Sequence, residues 1–429
     1  MRAGRHVLIA CLITAQFLLS AQPPFVRNDV LVGDPAVSYG SVEFTPDFQY
    51  MVWGEFAADG TDNMVMWHCG VDPDTGDLIP WDGKGFRAFE STGWGRANSP
   101  GRDALGTYYS GLNRLGQIVL VRPTGPTSGT VEILPVPADI SRRGLYGVDL
   151  PADHPGLGYV FWISNSEGII AGPGDPRVSR VRLQYVSLAN PSVVVTLQDQ
   201  ARPPVPNAFA PLDIAFPRNL RGTSRLTSGV RLDGVIQIVD FNLTDPAPPL
   251  QRLVTNDPVT KSDAFGWRFG AQEVLMSGTD FTSGITQIYT RPSGAQYFTP
   301  VEIITPQVGT LEPPVFAQSN EHLVFEGLGY TVFQVNSSTA TFFGTTFQQK
   351  GEIWLASVLQ NPQRQWRLSE DSDTAKFEPE PFVGRDRAWV FYSACPEGSE
   401  LRSTTINLRR ADTPLRTLTA SVGSEWRDY

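Results

Sequence analysis

Between residues 93 and 103 the chain reads Gly93-Trp94-Gly95-Arg96-Ala97-Asn98-Ser99-Pro100-Gly101-Arg102-Asp103. Three glycines and a proline let the backbone come close to a bound molecule, and Trp94, Arg96, Asn98, Arg102 and Asp103 can all contact one. A flat indole beside guanidinium forks suits a sugar ring carrying a carboxylate, which arginine binds in bidentate fashion. The bland account of the same residues is a loop in which Arg102 and Asp103 pair locally and Trp94 caps a sheet. Lys261-Ser262-Asp263-Ala264-Phe265-Gly266-Trp267-Arg268 repeats the Gly-Trp-Arg theme, and Pro217-Arg218-Asn219 adds another arginine. Trp94, Arg96, Arg102, Trp267 and Arg268 are expected to share one cavity, with Asn98 and Arg218 as further binding groups.

Acid–base and metal chemistry have fewer candidates. The histidines beyond the N-terminal region are His68, His154 and His322. His322 is read as opening the second strand of its unit. A lone strand histidine is more often structural than catalytic. Trp67-His68-Cys69 nevertheless interrupts an aliphatic strand with three special residues. No HExxH, paired ligand spacing or Cys/His cluster occurs, so there is no zinc motif, and no Gly-x-Ser-x-Gly elbow occurs either. Glu370-Asp371-Ser372-Asp373 and Glu378-Pro379-Glu380 could bind calcium or form a solvated acidic loop. Glu55, Asp103, Asp263 and Glu380 are carboxylates from which a glycosidase pair could be drawn.

These residues ride on short strands. Aromatic or aliphatic runs such as Met51-Val52-Trp53, Thr107-Tyr108-Tyr109 and Tyr159-Val160-Phe161-Trp162-Ile163 recur through Leu226, Leu275, Leu323-Val324-Phe325 and Trp389-Val390-Phe391-Tyr392. The period of roughly 40–65 residues is that of four-stranded propeller blades. The fold class expected is therefore all-β, a seven-bladed β-propeller of four-stranded antiparallel blades. Residues 40–429 form the single domain, with blades near 40–92, 93–140, 143–202, 205–257, 260–308, 310–370 and 374–425. Residues 22–39 form a lead-in that adds a strand to the last blade. In such a ring the second-to-third and blade-to-blade loops share the face where ligand sites gather.

The first unit carries Thr45-Pro46-Asp47, then Met51-Val52-Trp53, then Asp62-Asn63-Met64-Val65-Met66. It resembles the repeat of TolB-type propellers, in which a Ser/Thr-Pro-Asp turn precedes an apolar second strand and an Asp-led third. The resemblance is specific over about 30 residues and extends as architecture over most of the chain. The turn itself reads as a tight connection rather than a catalytic device.

Arg2 and Arg5, an apolar run from Val7 to Leu19 and Ser20-Ala21-Gln22-Pro23 read as a secretory signal, residues 1–21, removed after Ala21. Its loss takes two arginines and no acids, moving the formal net charge from −10 to −12 (32 basic against 44 acidic residues). The exported protein is expected to be a monomer without a membrane span, and its charge argues against nucleic acid as partner. Cys69 and Cys395 remain; topology should hold them at opposite rims, as two free thiols.

The overall plan is similar to that of propeller-fold polysaccharide lyases, which cut at uronic acids. That similarity implies an acidic oligo- or polysaccharide as partner and β-elimination at the channel mouth. Arg96, Arg102 or Arg268 would neutralise the uronate, and Tyr109 would exchange protons, with His68 a less well placed base. The other reading is a non-catalytic binding or assembly module of the TolB type.

Overall fold

The computed structural model describes residues 25–57, 61, 63–92, 100–150, 157–170, 177–201, 217–278, 286–305, 316–336, 350–370, 374–399 and 404–417. Every regular element among them is a β-strand, and no helix there is long and apolar enough to cross a membrane. The signal expected over 1–21 lies outside the described residues.

The strands form successive antiparallel meanders, each starting on an inner strand and stepping outward. The inner strands are Tyr39–Phe44, Gly101–Asp103, Arg143–Gly147, Arg218–Arg221, Ser262–Phe269, Phe316–Phe325 and Thr374–Val383. The meander beginning at Tyr39 carries five strands, because Leu78–Ile79 and Phe86–Thr92 both pair with Asn63–Val71. Those beginning at Arg218 and Ser262 merge into one sheet through a parallel contact, Leu220 opposite Gly266 and Arg221 opposite Trp267. The glycine permits this: a Cβ on Gly266 would lie 2.2 Å from Leu220 Cδ1.

Packing between meanders explains the recurrent apolar strand. In Tyr159–Asn165 six successive residues are buried. Val160 and Trp162 join Tyr108, Leu112 and Leu120 of the preceding meander. Tyr159, Phe161 and Ile163 face Leu226, Val239 and Phe241 of the next. Strand side chains alternate between faces, so a strand covered on both sides must be apolar throughout. Every successive pair of meanders shares such a cluster. One more joins last to first, with Phe382, Trp389 and Phe391 against Phe44, Met51 and Trp53. The lead-in completes that closure: Asp29–Val32 pairs with Asn407–Arg416, and Asp29 accepts from Arg409 Nε at 2.7 Å. The molecule is a β-propeller.

The Thr45-Pro46-Asp47 turn is a structural lock. Asp47 Oδ1 accepts from Thr45 Oγ1 at 2.7 Å, and Thr45 Oγ1 accepts from the Tyr50 amide at 3.1 Å. The sixth meander corrects one expectation. Leu323-Val324-Phe325 ends its inner strand, and the second strand is Leu328–Asn336. Glu326 and Gly327, both at positive φ, make the tight turn between them. His322 therefore belongs to an inner strand. Cys69 and Cys395 are buried and free.

Candidate functional site at the propeller axis

Five inner strands carry the same irregularity. One extra residue interrupts the register between Gly40 and Glu43, Arg143 and Tyr146, Ser262 and Phe265, Gln318 and Glu321, and Phe377 and Glu380. Such a bulge reverses the alternation of side chains beyond it. Ser41, Gly144 and Glu378 absorb the extra residue at φ 50°, 56° and 51°. In each case the residue that resumes the ladder, Glu43, Tyr146, Phe265, Glu321 or Glu380, lines one cavity on the axis.

That cavity has a volume of about 40 Å³. Besides those five residues it is walled by Thr45, Pro100, Arg218, Asn219, Arg221, His322 and Pro381, among others. The Arg218 guanidinium sits 4.4 Å from the Phe265 ring centre and 5.7 Å from that of Tyr146. The Asn219 backbone N–H donates to Tyr146 Oη at 3.1 Å. Glu380 is partly exposed and lines the cavity. Dehydration by the surrounding strands, then the charges of Glu43 and Glu321, raise its carboxyl well above the usual range despite Arg218. Burial, reinforced by Arg221 and Arg218, holds His322 well below the ordinary imidazole value. Asp149 is also raised by burial, partly offset by Arg102 and Arg221.

The expected site residues are distributed differently. Trp94, Arg96 and Asn98 lie outside the described residues, as does His154. Arg102 is on an inner strand with its Nε 3.4 Å from Asp149 Oδ1. Arg218 lines the cavity. Trp267 does not: it is 2% exposed, within the core, and stacks on His322 at 5.4 Å and 10°. Arg268 turns outward to Glu273 at 3.9 Å. None of Arg102, Trp267 and Arg268 lines the axial cavity.

His68 and Tyr109 do meet, but in the seam between the first two meanders. Tyr109 Oη is 2.9 Å from His68 Nδ1, and His68 Nε2 is 3.1 and 3.0 Å from the Gly125 and Ser128 carbonyl oxygens. Two carbonyl acceptors at Nε2 require the Nε2–H tautomer, so Nδ1 accepts from the tyrosine. Both residues are 0% exposed. Burial lowers the imidazole against the pull of those carbonyls, and raises the phenol well above its ordinary value. Neither side chain presents the solvent-accessible surface that the acid–base roles expected of them would use.

The carboxylates scatter likewise. Asp103 is held by two Arg122 nitrogens at 2.8 and 2.6 Å, and Glu55 by Lys84 at 2.6 Å. The Asp263 side chain lies outside the described residues. Of the three that are described, Glu380 alone lines the axial cavity. The expected calcium loop falls partly outside them, at 371–373, while the Glu370 amide donates to Asp29. Among the described residues no three His, Cys, Asp or Glu side chains are grouped to hold a metal ion.

Glu43, Glu321, Arg221, Tyr146 and Asn219 were missed. For Glu43, Tyr146 and Glu321 the signal is a turn-type or polar residue two places earlier, Ser41, Gly144 and Ser319; Arg221 and Asn219 carry none.

No protein-family model matches the chain, and no curated protein matches its sequence. Among solved structures it is similar to a prolyl endopeptidase (14% identity, TM-score 0.42, 84% of this chain and 47% of that one). It is also similar to the WD40 repeats of RRP9 (9%, 0.46, 92% and 99%) and a putative TolB from Agrobacterium tumefaciens (9%, 0.40, 74% and 90%). The chain thus spans about half the length of the endopeptidase. At these identities and scores nothing about function transfers.

Proposed function

We propose that this chain is an exported, non-catalytic binding or assembly module: a seven-bladed propeller of mostly four-stranded blades, with repeats of the TolB type. The observation that carries this reading is the axial cavity. Pockets for organic ligands commonly measure roughly 300–1,000 Å³, and about 40 Å³ is an order of magnitude less. The ring of seam clusters, closing from last meander to first, supports the blade count. Binding then belongs to the outer faces and rims of the blades.

The rival is the uronate lyase. It requires a base and a guanidinium at one accessible mouth, whereas His68 and Tyr109 are sealed in a seam. The decisive experiment is incubation with uronate-containing oligosaccharides, read as absorbance of an unsaturated product. The module reading expects none from folded protein. Product formation that survives Tyr109→Phe but is lost in Arg102→Ala would overturn it and restore a lyase with another base.

A further inference from the structure

Two side chains at the axis present polar atoms that no protein group meets. His322 is 7% exposed and Asn219 is 3% exposed, and both line the cavity. Neither His322 ring nitrogen, nor Asn219 Oδ1, has a hydrogen-bond partner. Other contacts hold both side chains in place. The Asn219 side-chain nitrogen donates to the Thr223 and Arg225 carbonyl oxygens at 3.3 and 3.0 Å, so Oδ1 is the end left over. The His322 imidazole lies flat on the Trp267 indole, the ring centres 5.4 Å apart. A buried polar atom without a partner forfeits the hydrogen bond it made in water. Three such atoms at one cavity call for an occupant that is not protein.

The walls restrict what that occupant is. Burial and the neighbouring arginines hold the imidazole neutral, so its ring offers one N–H and one bare nitrogen. Asn219 Oδ1 accepts only. Tyr146 Oη accepts the Asn219 backbone N–H and has its own proton to give. The occupant must therefore both donate and accept.

Its charge and size are restricted as well. The carboxyls of Glu43, Glu321 and Glu380 and the guanidiniums of Arg218 and Arg221 line the same cavity. An anion would face the first set, and a cation the second. Among the described residues no three His, Cys, Asp or Glu side chains are grouped for a metal ion. The volume of about 40 Å³ exceeds the roughly 10–15 Å³ that one water needs and falls far below that of an organic ligand. A few waters meet all these conditions.

The three groups also stand on different strands. Tyr146 belongs to the third inner strand, Asn219 to the fourth and His322 to the sixth. The fifth pairs with the fourth through Leu220 and Gly266, so the sixth meander is not the fourth one's neighbour in the ring. We propose that the axis is a water-binding site, where a small fixed group of molecules bonds His322, Asn219 and Tyr146 and ties the sixth meander to the third and fourth. The site holds whether or not the blade rims bind a partner.

The experiment is a crystal structure of the folded protein at a resolution that orders water, from crystals soaked in bromide and, separately, in manganese. Oxygen-17 relaxation dispersion of the parent and of His322→Phe in solution accompanies it, counting water held inside the protein. Density within hydrogen-bond distance of a His322 nitrogen and of Asn219 Oδ1 is expected, without anomalous signal from either ion. The dispersion amplitude should fall in His322→Phe, whose ring bonds no water. Bromide or manganese in the cavity, a protein atom seated on the His322 nitrogens, or equal amplitudes in the two proteins would overturn the proposal. Should His322→Phe not fold, the crystal structure of the parent decides alone.

Discussion

The two buried histidines, His68 in the seam between the first two meanders and His322 at the axis, occupy opposite electrostatic worlds. Both are dehydrated and held neutral. His68 meets a hydroxyl on one nitrogen and two carbonyls on the other. His322 has no hydrogen bond to either nitrogen, faces two arginines and rests flat on Trp267. The seam is built so that every polar atom of its histidine is answered by protein. The axis brings like charges and unanswered atoms together around a small cavity. A satisfied buried histidine fastens two sheets, whereas an unsatisfied one marks a place where something other than protein takes part.

The largest expected effect is in the seam. His68→Ala opens a void beside Phe86 and strands the Tyr109 hydroxyl and two carbonyls, so it should cost about 3 kcal/mol in denaturant unfolding. A loss below about 1 kcal/mol would erase the contrast between the two regions. Tyr109→Phe removes only the hydroxyl and leaves Nδ1 without a donor; a loss of about 1–2 kcal/mol is expected by the same measurement.

His322→Phe should cost less than about 1 kcal/mol at pH 8, since no hydrogen bond to protein is lost and the stack on Trp267 persists. Its signature is in acid. A histidine depressed in the folded state contributes fully above the ordinary imidazole value, and that contribution is lost as pH falls through it toward the folded value. The parent should therefore lose more stability between pH 7 and pH 5 than the variant does, with His68 supplying the remaining slope. Equal slopes would show that His322 is solvated after all. The smallest effect belongs to Arg268→Ala, an exposed change with a long ion pair, which should stay within about 0.5 kcal/mol. A greater loss in thermal unfolding would place that arginine in a structural network.

Much of the architecture was legible because it rests on local chemistry. The apolar second strands recur since each is covered on both faces, and Thr45-Pro46-Asp47 is a turn wherever its side chains can reach the backbone. The axis was not legible. Period-two reading carries each inner strand's phase straight through, and one extra residue at Ser41 or Glu378 sends the following side chains to the other face. For the same reason Leu323-Val324-Phe325 was read as a second strand, when Glu326-Gly327 turns the chain just after it. Trp267 and Arg268 were grouped with Arg102 by similarity of composition, yet one is core and the other faces outward.

By itself the sequence determined strand content, the repeat and the turn chemistry, because each depends on neighbours within a few residues. Only the tertiary structure decided which titratable groups meet. Glu43, Glu321 and Glu380 are separated by up to hundreds of positions, and closure of the ring brings their strands to one axis. The packing of the first two meanders also buries His68 and Tyr109. Burial, and with it the charge a side chain can carry, is a property of the assembled sheets rather than of the residue.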